Sequence, residues 1–224
     1  MNDTLTAPAT TTCDPASRVT KSLLGYGVIA GPVYVAVSLA QALTRDGFDP
    51  SRHEWSLLAN GPLGWIQSAN LVLTGLMTIA AAAGLRRALD GRRAGLPAGL
   101  LAGFGAGMVG AGFFRADPSD GFPPGTPSGR NTHVSWHGML HLVTGGAGFL
   151  CLIAACLAVG AWFARRGDRR WARYSRATGV IYLAAFAGIA GGATGRPAVL
   201  AFTAAVLLAF GWLSATSVRL YRQV

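Results

Sequence analysis

Six apolar stretches without a charged side chain constrain this sequence more than any other feature. They cover residues 23–43, 65–85, 98–114, 138–164, 177–195 and 197–218. Each is near the length of about 20 residues that an α-helix needs to cross a hydrocarbon core about 30 Å thick. Transmembrane barrel strands are shorter and alternate in polarity, so the stretches are predicted to be helices.

The predicted fold class is therefore all-α, an integral membrane bundle of six transmembrane helices in one domain over residues 22–218. Composition agrees, because 51% of the 224 residues are hydrophobic and only 12% are charged. Residues 1–21 are rich in Thr and Ala without an apolar core, which predicts a flexible tail rather than a signal peptide. Residues 219–224 form a second short tail.

The distribution of basic residues predicts the orientation in the membrane. If the N-terminal tail is cytoplasmic, that side receives 14 of the 19 basic residues. The opposite side has five arginines balanced by five acidic residues, so the whole net charge of +10 faces the cytoplasm. This positive-inside pattern predicts that both termini are cytoplasmic and that the chain is a multi-pass protein of the bacterial inner membrane. Nucleic-acid binding is the weaker explanation of the basicity.

The segment "ARRGDRRWARYSR" between the fourth and fifth stretches is the most basic loop. It is interpreted as an orientation signal that contacts the anionic headgroups of the lipid bilayer. A contact site for a protein partner is the alternative. Glycines four residues apart at Gly99, Gly103 and Gly107, and again at Gly188 and Gly192, predict close helix packing.

All four histidines lie in or beside the connections predicted to face outward. The first of these connections is amphipathic, and a short interfacial helix near residues 54–59 would place His53 and Glu54 at the mouth of the bundle. A solvated connector is the alternative. The second is rich in Pro and Gly and is predicted to be irregular, with Asp117 either paired to Arg115 or acting as a metal ligand or general base.

His133, His137 and His141 are spaced four residues apart in "HVSWHGMLH". A helix capped by Asn131 or Thr132 would present the three rings on one face. The first and last rings would be about 12 Å apart, so only adjacent pairs could bind one ion. The leading hypothesis is a site in which Asp117, His137 and His141 are catalytic or bind a divalent metal such as zinc. The alternate ligands are His133, Asp120, His53 and Glu54, and interfacial histidines without a site are the competing interpretation.

Three blocks of this sequence, "GFDPSRHEWSLLANGPLGWIQSANLVLTGLM", "FFRADPSDGFPPG" and "WHGMLH", resemble the bacterial membrane-protein family called domain of unknown function 998. The resemblance implies about six transmembrane helices and no settled activity. A more distant similarity is to membrane hydrolases that include the alkaline ceramidases, but the order of the histidines does not correspond and no residue is carried over.

Two classes of function follow from these observations. One is a membrane protein whose outward His/Asp site acts on a lipid or other amphipathic substrate. The other is a non-catalytic sensor, partner subunit or small-solute transporter. Only Gln67 and Asn70 could line a polar pathway in the second stretch, which disfavours a charged transport route.

Overall fold

Six long α-helices and one short 3-10 helix make up the part of the protein that the structure describes. The computed structural model describes residues 14–91, 94–129, 133–193 and 195–224, and these residues contain no β-strand. The helices are α1 (Pro15–Thr44), α2 (Gly64–Ala88), α3 (Gly95–Phe113), α4 (Trp136–Arg165), α5 (Arg169–Ala190) and α6 (Arg196–Tyr221), and the 3-10 helix is Trp55–Ala59. The all-α fold class is thus confirmed.

Helices α1 and α5 begin well before their apolar stretches. Helix α1 begins at Pro15, where the Asp14 side chain accepts a hydrogen bond from the backbone N–H of Ala16 at 3.3 Å. Residues 15–21 of the predicted tail are therefore helical, while residues 1–13 lie outside the described part of the chain. Helix α5 begins after Asp168, which accepts from the backbone N–H of Trp171 at 3.2 Å. Carboxylates of this kind satisfy backbone N–H groups that have no partner within the helix.

Five helices are long and apolar enough to cross a membrane, namely α1, α2, α3, α4 and α6. Helix α5 differs because four arginines occupy its first two turns and leave an uncharged part of only about 14 residues, or about 21 Å. That part nevertheless exposes Val180, Ile181 and Leu183 on the outer surface, as a lipid-facing helix does. The chain is therefore a multi-pass membrane protein.

The helices form a closed ring in which each contacts the next in the chain and α6 returns to α1. Arg196 lies 3.9 Å from Asp49, so the connections before α2 and before α6 share one end of the ring. We call it the histidine end, and it also carries the connection between α3 and α4. The ion pair of Asp90 with Arg166 and the bond from Ser17 to the Val224 carbonyl define the opposite, arginine end.

Glycines bring α3 close to α4. A Cβ atom at Gly107 would lie 2.6 Å from the Cα atom of Gly148, and one at Gly103 would lie 2.9 Å from a cysteine sulfur on α4. Only glycine permits this separation between the two backbones. Gly99 and Gly188 have open space around them. The packing prediction is confirmed for Gly103 and Gly107 and is wrong for Gly99 and Gly188.

Candidate functional site

A cavity of about 600 Å³ lies inside the ring and reaches the histidine end. Polar side chains line its mouth, and they come from two separate connections and the start of α4. They are Glu54, Ser56, Asp117, Ser119, His133 and His141. A cavity of this size is typical of a site for a small organic ligand.

The body of the cavity is apolar and aromatic. Its rings come from five helices and include Tyr34, Phe104, Phe149, Tyr182, Phe202 and Phe210. Leu152 lines its inner part and lies about 24 Å along α4 from the start of that helix. Gly145 and Gly146 also line the cavity, and a Cβ at Gly145 would have no neighbour within 4 Å. Missing side chains on α4 therefore contribute to the open volume.

Asp117 fastens the start of α4. Its carboxylate accepts a hydrogen bond from the backbone N–H of Ser135 at 2.9 Å and another from the Ser135 hydroxyl at 2.5 Å. The same hydroxyl accepts from the backbone N–H of Gly138 at 3.0 Å and so caps the helix. A Cβ at position 138 would overlap the Asp117 carboxylate. Because glycine has no Cβ atom, the Asp117 carboxylate can occupy this space.

This cap corrects the predicted helix through all three histidines. Helix α4 begins at Trp136, so His133 lies ahead of it, and the predicted caps Asn131 and Thr132 lie outside the described residues. The earlier start is wrong because Ser135 and Asp117 satisfy the free N–H groups from residue 135 onward. The ion pair considered between Arg115 and Asp117 is replaced by the bonds from Ser135 to Asp117.

His141 is buried between α3 and α4 and lines the cavity. Its Nδ1 atom lies 2.8 Å from the Phe114 carbonyl oxygen and 3.1 Å from that of Ala111. Because both oxygens are acceptors, Nδ1 carries a proton and donates it. His141 thus satisfies carbonyl groups at the end of α3 that have no partner within the helix.

His137 and His133 have different surroundings. The His137 ring is exposed and stacks on Trp136, with 3.6 Å between ring centroids, and it lies 6.2 Å from the Phe114 ring. It does not line the cavity, whereas His133 does. The structure therefore brings Asp117, His133 and His141 to one mouth and turns His137 to the outer surface.

His53 joins the first and second connections of the histidine end. Its Nδ1 atom accepts from the backbone N–H of Asp49 at 2.9 Å, so Nε2 carries the proton and donates to the Asp120 carbonyl at 2.9 Å. The ring is 2% exposed and packs against Phe48 and Phe122. His53 is thus a structural link in which both nitrogens are used.

Asp120 belongs to the same link. Its carboxylate pairs with Arg52 at 2.8 Å and accepts from the backbone N–H of Gly129 at 3.2 Å. The hydrogen bond from Arg52 holds the pKa of Asp120 below its usual range, and bonds from Ser51 do the same for the pKa of Asp49. Both carboxylates therefore stay ionised down to a lower pH than an ordinary exposed carboxylate.

The short helix predicted near residues 54–59 is present as the 3-10 helix, and its interfacial position stays a prediction. Glu54 precedes it and lines the mouth half-buried, and its side chain forms no hydrogen bond or ion pair with any described residue. The next residue, Trp55, is 9% exposed and lines the cavity. Its indole N–H has no acceptor among the described residues. The indole nitrogen is itself buried, and an unpaired buried N–H is costly.

Gln67 and Asn70, the only candidates for a polar pathway, do not line the cavity. They are buried between α1 and α2, where the Gln67 side-chain oxygen accepts from Gln41 at 2.8 Å and Asn70 donates to the Tyr34 carbonyl at 3.1 Å. These amides join two helices, as interhelical polar contacts in membranes do.

The predicted ligand set of Asp117, His137 and His141 does not fit one shared metal ion in this geometry. Among the described residues, no three His, Cys, Asp or Glu side chains lie close enough to hold a metal together. The carboxylate of Asp117 is engaged by Ser135, Nδ1 of His141 is engaged by α3, and His137 faces outward. Metal binding at these residues stays a prediction.

Residues missed by the sequence reasoning form much of the cavity. Tyr34 and Trp55 were not identified as site residues, and neither were Gly145 and Gly146. The run "GGAG" at residues 145–148 is the sequence signal that could have indicated an open helix face.

Comparisons with known proteins bear on the family alone. No curated protein and no solved structure gives a significant match to this chain. One family does match, over residues 28–219, which include all six helices in whole or in large part. Its description is "Protein of unknown function (DUF998)". The resemblance noted in the sequence is thereby confirmed, and the chain belongs to the DUF998 family.

Proposed function

We propose that this protein spans the bacterial inner membrane six times, with both termini cytoplasmic, and binds a lipid-like amphiphile in the cavity from the extracytoplasmic side. The ring topology supports an even number of spans, because successive connections alternate between its two ends. The excess of arginine at one end supports the orientation.

The cavity itself is the observation that carries the binding proposal. It combines an aromatic, glycine-lined body with a polar mouth at one end. An amphiphile likewise combines an apolar chain with a polar headgroup, so its chain would occupy the body of the cavity and its headgroup the mouth.

Binding is tested with tetradecan-1-ol as the probe, using native mass spectrometry and thermal stability of the purified full chain. We expect Gly146→Phe to weaken binding at least ten-fold, because the new ring fills the cavity beside Phe186. Gly188→Phe is the matched control, since Gly188 has open space around it and does not line the cavity. Equal loss of binding in both variants, or none in either, would contradict the proposal.

The orientation is tested with single cysteines in a background where Cys13, Cys151 and Cys156 are replaced. In intact cells we expect a membrane-impermeant thiol reagent to label cysteines at Asp46 and Ala193, but not at Arg222. Labelling at Ala193 specifically tests whether α5 crosses the membrane. A chain labelled at Asp46 but not at Ala193 would have fewer than six spans.

Anionic lipid headgroups are the proposed partners of the arginine end. Arg169, Arg170 and Arg173 are exposed there at the start of α5, where clustered guanidinium groups attract anionic headgroups. Replacing all three with Gln should reduce the phosphatidylglycerol that co-purifies with the protein. A stoichiometric protein partner lost in the same variant would instead favour the alternative contact.

The metal proposal for Asp117, His137 and His141 has its own measurement. The hypothesis that these residues bind a metal predicts close to one divalent ion per chain in the purified protein, reduced in His141→Ala and His137→Ala. Metal far below one per chain and unchanged in both variants would reject it.

A further inference from the structure

The mouth of the cavity is acidic. Two carboxylates, Glu54 and Asp117, line it, and no arginine or lysine among the described residues does so. Both oxygens of the Asp117 carboxylate accept hydrogen bonds from Ser135, whereas the Glu54 carboxylate has no polar partner among the described residues. Glu54 is therefore the carboxylate that is available to a ligand.

The position of the Glu54 carboxylate strengthens its attraction for a cation. Glu54 is half-buried at the edge of the cavity, directly before the 3-10 helix that carries Trp55. A charge at the edge of an apolar cavity interacts with an opposite charge more strongly than it would in bulk water. An anionic headgroup at the same place would be repelled, so the phosphate of an ordinary anionic lipid does not suit this mouth.

Aromatic rings line the same cavity as the Glu54 carboxylate, beginning with the ring of the next residue, Trp55. The Trp55 and Tyr34 ring centroids are 5.9 Å apart, and the Tyr34 and Phe210 centroids are 4.8 Å apart. All three residues line the cavity. Aromatic faces attract organic cations, and such rings are the usual surroundings of bound ammonium groups.

We infer that the ligand is an amphiphile with an ammonium headgroup, held by the Glu54 carboxylate and the rings of Trp55 and Tyr34. The inference rests on the proposed function, because the apolar body must hold the chain. It adds the headgroup class, which excludes anionic lipids and fatty acids as preferred ligands.

The test uses three probes with the same fourteen-carbon chain in zwitterionic nanodiscs, namely tetradecyltrimethylammonium, tetradecan-1-ol and tetradecanoate. Binding to the full chain is measured by native mass spectrometry and corrected for uptake by empty nanodiscs. We expect the ammonium probe to bind at least ten-fold tighter than the alcohol, and the carboxylate to bind more weakly than either.

Glu54→Gln should bring the ammonium probe within about two-fold of the alcohol and leave alcohol binding unchanged, because only the charge is removed. Glu54→Asp should retain part of the preference, which separates loss of charge from misfolding. Asp46→Asn is the matched control, since Asp46 is exposed in the same connection and does not line the cavity. It should keep the full preference.

The outcomes separate the two proposals. Equal binding of all three probes, or tightest binding of the carboxylate, would overturn the headgroup inference while cavity binding stands. An ammonium preference that survives in Glu54→Gln would overturn it as well. If no probe binds and Gly146→Phe changes nothing, the cavity proposal itself fails.

Discussion

The two ends of the helical ring use polar residues differently. At the histidine end, side chains form hydrogen bonds within and between the connections, as Asp117 does with Ser135 and as His53 does with Asp49 and Asp120. At the arginine end most charged groups are exposed, and the ion pair of Asp90 with Arg166 has side chains 70% and 45% exposed. Hydrogen bonds at the histidine end therefore hold its connections in place, whereas the arginine end mainly presents exposed charges.

Such a difference has energetic consequences. Buried or charge-assisted hydrogen bonds contribute to stability, whereas exposed ion pairs in water contribute little. Substitutions at the histidine end should therefore change the fold and the cavity, and equivalent substitutions at the arginine end should not. The following predictions test that contrast from the largest effect to the smallest.

Gly138→Ala should have the largest effect. Its methyl group would overlap the Asp117 carboxylate, and overpacking of this kind costs about 1–3 kcal/mol. The loss should appear as a lower midpoint of thermal unfolding in detergent. Gly145→Ala in the same helix is the control, because open space surrounds it. An unchanged midpoint for Gly138→Ala would mean that Asp117 does not occupy this position.

Loss of the Asp117 bonds should come next. Asp117→Ala should destabilise by about 2 kcal/mol, since charge-assisted hydrogen bonds are lost, and Ser135→Ala by about 1 kcal/mol as a lost cap. The double variant should lose less stability than the sum of the two single losses, because both substitutions remove the same contact.

Asp14→Ala provides the matched control at the arginine end. Asp14 also caps a helix, but through one bond of 3.3 Å, whereas Asp117 accepts two shorter bonds. We expect a much smaller change in unfolding midpoint than for Asp117→Ala. Equal losses at the two caps would contradict the contrast between the ends.

Acid should loosen the histidine end. The folded-state pKa of Asp120 lies below its unfolded value of about 3.9, so the stabilisation is present above that value and is lost as pH falls through the folded pKa. Below about pH 4, amide hydrogen exchange in residues 45–63, corrected for its intrinsic rate, should increase. Asp120→Asn should show the increased exchange at neutral pH and little further change in acid.

Asp90→Asn should have the smallest effect. It removes an exposed ion pair at the arginine end, and such pairs contribute little in solvent. We expect an unfolding midpoint equal to that of the unaltered chain within error. A clear decrease would show that the arginine end is also held by its charges.

The helices were predictable because apolar length is a local property of the sequence. Each predicted stretch lies within or closely overlaps one helix, and errors arose where polar caps extended a helix, as Asp14 does for α1 and Asp168 for α5. The span count was harder to predict, because α5 continues through four arginines before its apolar part. Composition alone does not reveal where such a helix enters the membrane.

The site was predictable only in part because it depends on contacts between distant segments. The sequence placed Asp117, His141 and Glu54 at one end, and all three line the cavity mouth. Spacing could not show that α4 begins after Ser135, that His137 turns to Trp136, or that His53 uses both ring nitrogens. Those outcomes depend on which groups the neighbouring segments leave without hydrogen-bond partners.

The bonds of Asp117 and His141 also divide the cavity into two mechanically different walls. Both residues form hydrogen bonds that connect the end of α3 to α4, so those two helices should move together as a rigid body. At the same end, the α6 side is tied to the first connection only by the 3.9 Å pair of Arg196 and Asp49 among the contacts described. A wider ligand would therefore be accommodated by an outward tilt of α5 and α6, which form the more deformable wall of the cavity.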